Sequence, residues 1–166
     1  MNVIQHYMPK TSESLFRLVI SILIPLAIGY SASLLTLPNI PTWYVFLEKP
    51  LLTPPNWIFA PVWTTLYVLM GISCYLIWSQ PQSKQRRQAL TVYAVQMVFN
   101  FLWSLFFFEM QMPLLAFMNI ILLWVSILTT IRVFMPLNRY AAWMHIPTLL
   151  WVSFAAYLNF GVWWLN

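Results

Sequence analysis

Acid is nearly missing from this sequence: Glu13, Glu48 and Glu109 are its three acidic residues. They form no carboxylate pair for general acid–base work, and no Ser/His/Asp set or Cys/His neighbour replaces one. No catalytic residue is therefore assigned and no cofactor is expected. The single cysteine, Cys74, excludes an internal disulfide. Two histidines, His6 and His145, lie far apart with no carboxylate pair beside them, so no metal site is expected. Three glycines leave no Gly-rich phosphate loop, and rings of charge or carbonyl-rich loops for a conducting channel are missing too. The formal charge of +5 comes from eight basic residues scattered through connecting segments, which argues against nucleic acid as a partner.

Charged residues of either sign make up 7% of the chain, against roughly a quarter in soluble domains. Hydrophobic residues make up 61%, and the mean hydropathy is +0.75. Water is thus not the main solvent of this surface. Apolar runs long enough to cross a bilayer predict helices over about 16–37, 57–78, 89–108, 113–135 and 140–164. Hydrocarbon offers no partner to free backbone groups, so such runs fold as helices, and the period-2 alternation of a membrane barrel is absent. The fold class expected is an all-α membrane protein, a five-transmembrane-helix bundle forming one domain over 1–166.

The one long connection, 38–56, holds five prolines together with Glu48 and Lys49, and reads as an ordered or semi-ordered loop. Lys10, Arg17, Lys84, Arg86, Arg87, Arg132 and Arg139 fall on one side of such a bundle, with only Lys49 on the other. The positive-inside rule then places the N-terminus in the cytoplasm, in a bacterial cell membrane. Lys10 and Arg17 ahead of an apolar stretch also fit a cleavable leader ending at Ser31 to Ser33. Against that, the apolar run continues through Leu34, Leu35 and Leu37.

Ten tryptophans exceed what interfacial anchoring needs. Trp43, Trp57, Trp78, Trp143, Trp163 and Trp164 sit near span ends, where aromatic belts form. Trp63, Trp103, Trp124 and Trp151 sit deeper and are candidates for either packing or a pocket lining. Gln96, Asn100, Trp103 and Phe107 recur at helical spacing on one face of the third span. Trp63, Tyr67, Gly71 and Cys74 do so on the second, and Trp151, Ala155 and Leu158 or Asn159 on the fifth. Amides at membrane depth need a hydrogen bond to another helix or to a ligand. Stripes of this kind, facing one another, would enclose an aromatic cavity suited to a flat conjugated small molecule, with Ala155 leaving room beside an indole. Asn100 and Tyr44 could orient a carbonyl or carboxylate on it. Lys49 either pairs with a ligand acid or is a solvated loop charge.

The segment WYVFLEKPLLTPPNWIFAPVWTTLY, Trp43 to Tyr67, resembles the signature of the tryptophan-rich sensory and translocator protein family (TSPO). Asn100, Trp103, Ser104, Phe106 and Phe107 resemble its third-helix motif; Pro147, Trp151, Phe154, Ala155, Leu158 and Asn159 resemble its fifth. The resemblance covers nearly the whole chain after about residue 15. It implies a five-helix bundle, commonly a homodimer, that binds tetrapyrroles such as protoporphyrin and isoquinoline-type ligands beneath a lid formed by the first loop. By matching positions it implies Tyr44, Trp63, Asn100, Trp103, Trp151 and Ala155 as ligand-binding residues. Two other activities follow from it: light- or oxygen-dependent porphyrin degradation, which would use Trp63 and Trp151, and sterol translocation. The second is weakened here because Phe160 and Trp164 replace the Tyr and Arg of the sterol-recognition segment and no basic residue follows Arg139. Thr148 also departs from the Tyr common after the proline.

Overall fold

The computed structural model describes residues 11–166; His6 and Lys10 lie outside them. Among the described residues there is no strand, and five helices are long and apolar enough to cross a membrane. Helix α1 spans Thr11–Thr36, and the loop after it carries a short helix α2, Asn39–Thr42. Helix α3 spans Phe59–Trp78, α4 Lys84–Ser104, α5 Pro113–Phe134, α6 Arg139–Trp143 and α7 Ile146–Leu165. Large apolar side chains such as Leu23, Ile24, Val98, Leu122 and Leu150 point outward from these helices. That is the arrangement a bilayer, rather than water, makes stable.

Local signals explain most of the boundaries. Ser83 caps α4, its hydroxyl accepting from the Arg86 amide at 3.1 Å. Asn138 caps α6 by accepting from the amides of Tyr140 and Ala141 at 3.0 and 3.1 Å. Pro113 opens α5, where its missing N–H costs nothing. The fifth apolar run, expected as one helix over 140–164, is divided into α6 and α7 around Met144 and His145. Pro147, near the start of α7, cannot donate to the carbonyl of Trp143, which is why the run breaks there. The third run, expected over 89–108, begins earlier at Lys84 and ends in a π-helical turn, Leu105–Glu109, closed by the Met110 amide donating to the Leu105 carbonyl at 2.9 Å.

Helix α1 packs on α3, α4 on α5, and α5 on α7. The α1–α3 seam depends on small residues. Pro25 lies within α1 and frees the carbonyl of Ser21 from its intrahelical bond. A methyl on Gly71 would come within 2.8 Å of that carbonyl oxygen and 2.6 Å of the Ile22 Cα. Ser14 and Tyr75 share a 2.6 Å hydrogen bond, and Arg17 lies 5.9 Å above the Trp78 ring, so the start of α1 sits beside the end of α3. Arg17, Lys84, Arg86, Arg87, Arg132 and Arg139 therefore share one end of the bundle, called the inner end below, and Lys49 belongs to the other.

Gly71→Ala should force α1 away from α3, because backbone rather than a flexible side chain stands in the way. The expected cost is about 1–3 kcal/mol of overpacking, read as a lower unfolding midpoint in detergent or bilayer discs; an unchanged midpoint would contradict the seam.

Candidate functional site

In the outer half of the bundle the helices part around a cavity of about 530 Å³. Helix α1 contributes Gly29 and Ala32, α3 contributes Trp63 and Tyr67, α4 contributes Asn100 and Trp103, and α7 contributes Ala155 and Asn159. Small residues make the space. Gly29 faces the Tyr67 ring so closely that any β-carbon there would collide with it. The cavity reaches the surface between α1 and α3, where lining residues Tyr30, Leu37, Ala60 and Thr64 are exposed.

Two aromatic stacks flank the space. Trp63 lies on Tyr67 with centroids 5.6 Å apart and planes at 29°, and Trp103 lies on Phe107 at 5.3 Å and 24°. Each stack is held by an amide at membrane depth. The Tyr67 hydroxyl donates to Asn100 Oδ1 at 2.5 Å, and the Trp103 indole N–H donates to Asn159 Oδ1 at 3.0 Å. Asn159 Nδ2 then donates to the Pro113 carbonyl at 2.8 Å. These bonds commit Asn159 and the Asn100 oxygen to the protein, while Asn100 Nδ2 has no hydrogen-bond partner among the described residues and remains a donor at the cavity. The rest of the lining is mostly apolar and offers contact and stacking.

The loop covers the outer end. Tyr44, in a 3-10 turn Tyr44–Phe46, is buried against Phe107 and Phe108 at 6.2 and 5.8 Å and lines the cavity. Burial raises its phenol above the ordinary tyrosine range. Lys49 is neither in the cavity nor a free loop charge: its Nζ lies 4.7 Å above the Tyr44 ring and donates to the Leu47 carbonyl at 2.9 Å. The loop is fastened to α7 at three points. Asn166 exchanges two 3.0 Å bonds with the backbone of Glu48, the Tyr157 hydroxyl donates to the Leu51 carbonyl at 2.9 Å, and Gly161 admits the Pro50 ring.

Of the six residues singled out from the sequence, Tyr44, Trp63, Asn100, Trp103 and Ala155 meet at this cavity. Trp151 is not among its lining residues. Its ring packs edge-on against Phe59, which does line the cavity, and at 5.7 Å against Phe154. Trp124 is likewise turned to packing, its N–H donating to Ser153 Oγ at 2.8 Å. Phe160 and Trp164, at the sterol-segment positions, are exposed on α7 and stacked at 6.1 Å. Phe108 was not legible as a lining residue. The π-helical turn winds fewer degrees per residue than an α-helix and so brings the consecutive Phe107 and Phe108 to one side. Nor was α1, whose apolar residues surround it without marking a face.

A sequence model of the TspO/MBR family matches residues 21–165 of the chain. The chain is 41% identical over 153 residues to a tryptophan-rich protein TspO of Archaeoglobus fulgidus, covering 92% of this chain and 99% of that protein. It is 36% identical over 157 residues to the protein of the same name from Chlorobaculum tepidum, covering 93% and 99%. It is similar also to a translocator protein of Ovis aries, 37% identical over 123 residues and 73% of either chain.

Asn159→Leu should leave the Trp103 N–H and the Pro113 carbonyl without their partner at similar side-chain volume. Interhelical bonds of this kind contribute about 1–2 kcal/mol, so a loss of that size in unfolding free energy is expected, with a shift in tryptophan emission. A variant as stable as the parent would show that the amide does not tie the helices.

Proposed function

The chain belongs to the TspO/MBR family, and from that premise we propose that it is a membrane-embedded binding protein and sensor for tetrapyrroles and related flat hydrophobic ligands, with a part in regulating their transport. The observation that carries the reading is the pair of aromatic stacks, Trp63 on Tyr67 and Trp103 on Phe107, lining one apolar cavity. Its volume, about 530 Å³, lies within the roughly 300–1,000 Å³ of small-molecule sites. A planar guest gains stacking on these rings of about 0.5–1.5 kcal/mol each beyond the area it buries. Since the lining is mostly apolar and Asn100 Nδ2 is the donor it keeps unpartnered, recognition runs chiefly on shape and polarizability, which suits porphyrin-like and isoquinoline-type molecules alike. Tyr44, Trp63, Asn100, Trp103 and Ala155 are the residues assigned to binding, with loop 38–56 as the lid.

Porphyrin degradation fits the geometry less well, because it calls on both Trp63 and Trp151 and only Trp63 lines the cavity. Names among the relatives, translocator protein and tryptophan-rich sensory protein, favour transport or sensing. The proposal includes a homodimer in a bacterial cell membrane with the N-terminus in the cytoplasm, the orientation that the basic inner end favours.

Quenching of tryptophan emission by protoporphyrin, titrated in bilayer discs, tests the site. Trp63→Ala should weaken binding about tenfold, equivalent to 1.4 kcal/mol, whereas Trp151→Ala should leave the dissociation constant within about twofold, since stacking requires contact. Equal affinities for the parent and Trp63→Ala would remove the cavity as the site. For the dimer, light scattering in detergent should give a protein mass twice the 19.6 kDa of one chain; a monomeric mass would refute it.

A further inference from the structure

Beneath the apolar cavity the bundle interior changes character. Descending α4 from Asn100 toward the inner end, Gln96 and Tyr93 follow on the same face. His145, in the turn between α6 and α7, faces Tyr93, and Thr148 follows it one helical turn on. All five side chains are buried, His145, Thr148 and Gln96 completely. His145 lies edge-on to Tyr93 with centroids 5.9 Å apart and to Phe134 at 5.4 Å, so the imidazole is enclosed by rings.

Their polar atoms are not spent on the protein. Among the described residues, both ring nitrogens of His145, the Thr148 and Tyr93 hydroxyls, Gln96 Oε1 and Asn100 Nδ2 have no hydrogen-bond partner. Thr148 is the sharpest case. Thr64, Thr65, Thr91, Thr129 and Thr130 all return their hydroxyls to the carbonyl four residues back, the usual local solution within a helix. Thr148 does not. A neutral imidazole needs one acceptor and one donor, and Gln96 Oε1 and Asn100 Nδ2 are an acceptor and a donor one turn apart on α4. Unpaired polar groups at membrane depth are too costly to leave in such number, and their mix of donors and acceptors matches a molecule that both gives and takes hydrogen bonds.

We propose that the inner half of the bundle holds a second binding site, a hydrated compartment in which His145, Thr148, Tyr93 and Gln96 bind a small cluster of ordered water molecules, bounded toward the cavity by the Tyr67–Asn100 pair. This site is separate from the ligand cavity and stands whatever that cavity binds. Water is the guest that fits, because it supplies two donors and two acceptors in the space between side chains already packed ring to ring.

X-ray radiolytic hydroxyl labelling of the intact protein in bilayer discs tests this directly, since buried side chains are modified only where bound water generates the radical beside them. Tyr93 and His145 should be modified at rates well above those of Leu123 and Ile127, equally buried in the apolar α5–α7 core, after correction for intrinsic reactivity. Thr148→Val, which keeps the side-chain shape, supplies a thermodynamic readout. A hydrated site predicts a downward shift of the unfolding midpoint as water-mediated bonds are lost; a dry one predicts an upward shift as an unpaired hydroxyl is removed. Labelling of Tyr93 and His145 no faster than of Leu123 and Ile127, or a raised midpoint for Thr148→Val, would overturn the proposal.

Discussion

The outer half of this bundle depends on one side-chain amide. Asn159, nearly fully buried on α7, accepts from the Trp103 indole on α4 and donates to the Pro113 carbonyl at the head of α5. Three helices are thereby fixed at one level, with the Pro113 carbonyl in the first turn of α5 as the point of attachment. In hydrocarbon none of these groups has water to fall back on, so the geometry is set by what each can reach within the protein. The orientation of Trp103 follows, and with it the stack on Phe107, the T-shaped contact of Phe107 with Tyr44, and the seating of the loop.

Space beside these rings exists because small residues stand where helices would otherwise close. Gly29 and Ala32 on α1 and Ala155 on α7 line the cavity, while Gly71 lets α1 and α3 touch nearer the inner end. The same two helices thus meet below and part above. The third glycine, Gly161, admits Pro50 and helps hold the loop to α7. All three glycines of the chain serve close approach rather than an unusual backbone angle, and none has positive φ. Positive φ falls instead on Leu52, in the loop, and on Gln111, in the turn before α5.

Polarity divides the interior in the opposite sense. The cavity offers mostly apolar faces and leaves Asn100 Nδ2 as its unpartnered buried donor, whereas the region toward His145 carries several polar atoms without protein partners among the described residues. Gln96 marks the transition: its Nε2 reaches only the Met70 sulfur at 3.2 Å, and its oxygen finds nothing among the described residues. An aromatic cavity in the outer half and unpartnered polar groups in the inner half are therefore separate features of one scaffold.

Scarcity of charge and the five long apolar runs were enough to determine a helical membrane bundle, because a bilayer permits few alternatives to a chain so composed. Helical spacing likewise brought Asn100, Trp103 and Ala155 to candidate faces, since periodicity is a property of the local backbone. What periodicity cannot contain is the rotation of one helix against another. Trp151 and Ala155 share a face of α7, yet Phe59 of α3 takes up the indole and only the alanine meets the cavity. Lys49 sits over Tyr44 because the loop folds back on itself, and Phe108 joins Phe107 because the end of α4 is wound as a π-turn. The fold class was thus a matter of solvent and composition, carried by the sequence alone. The shape of the site was decided by packing, which arises only when distant segments compete for the same volume.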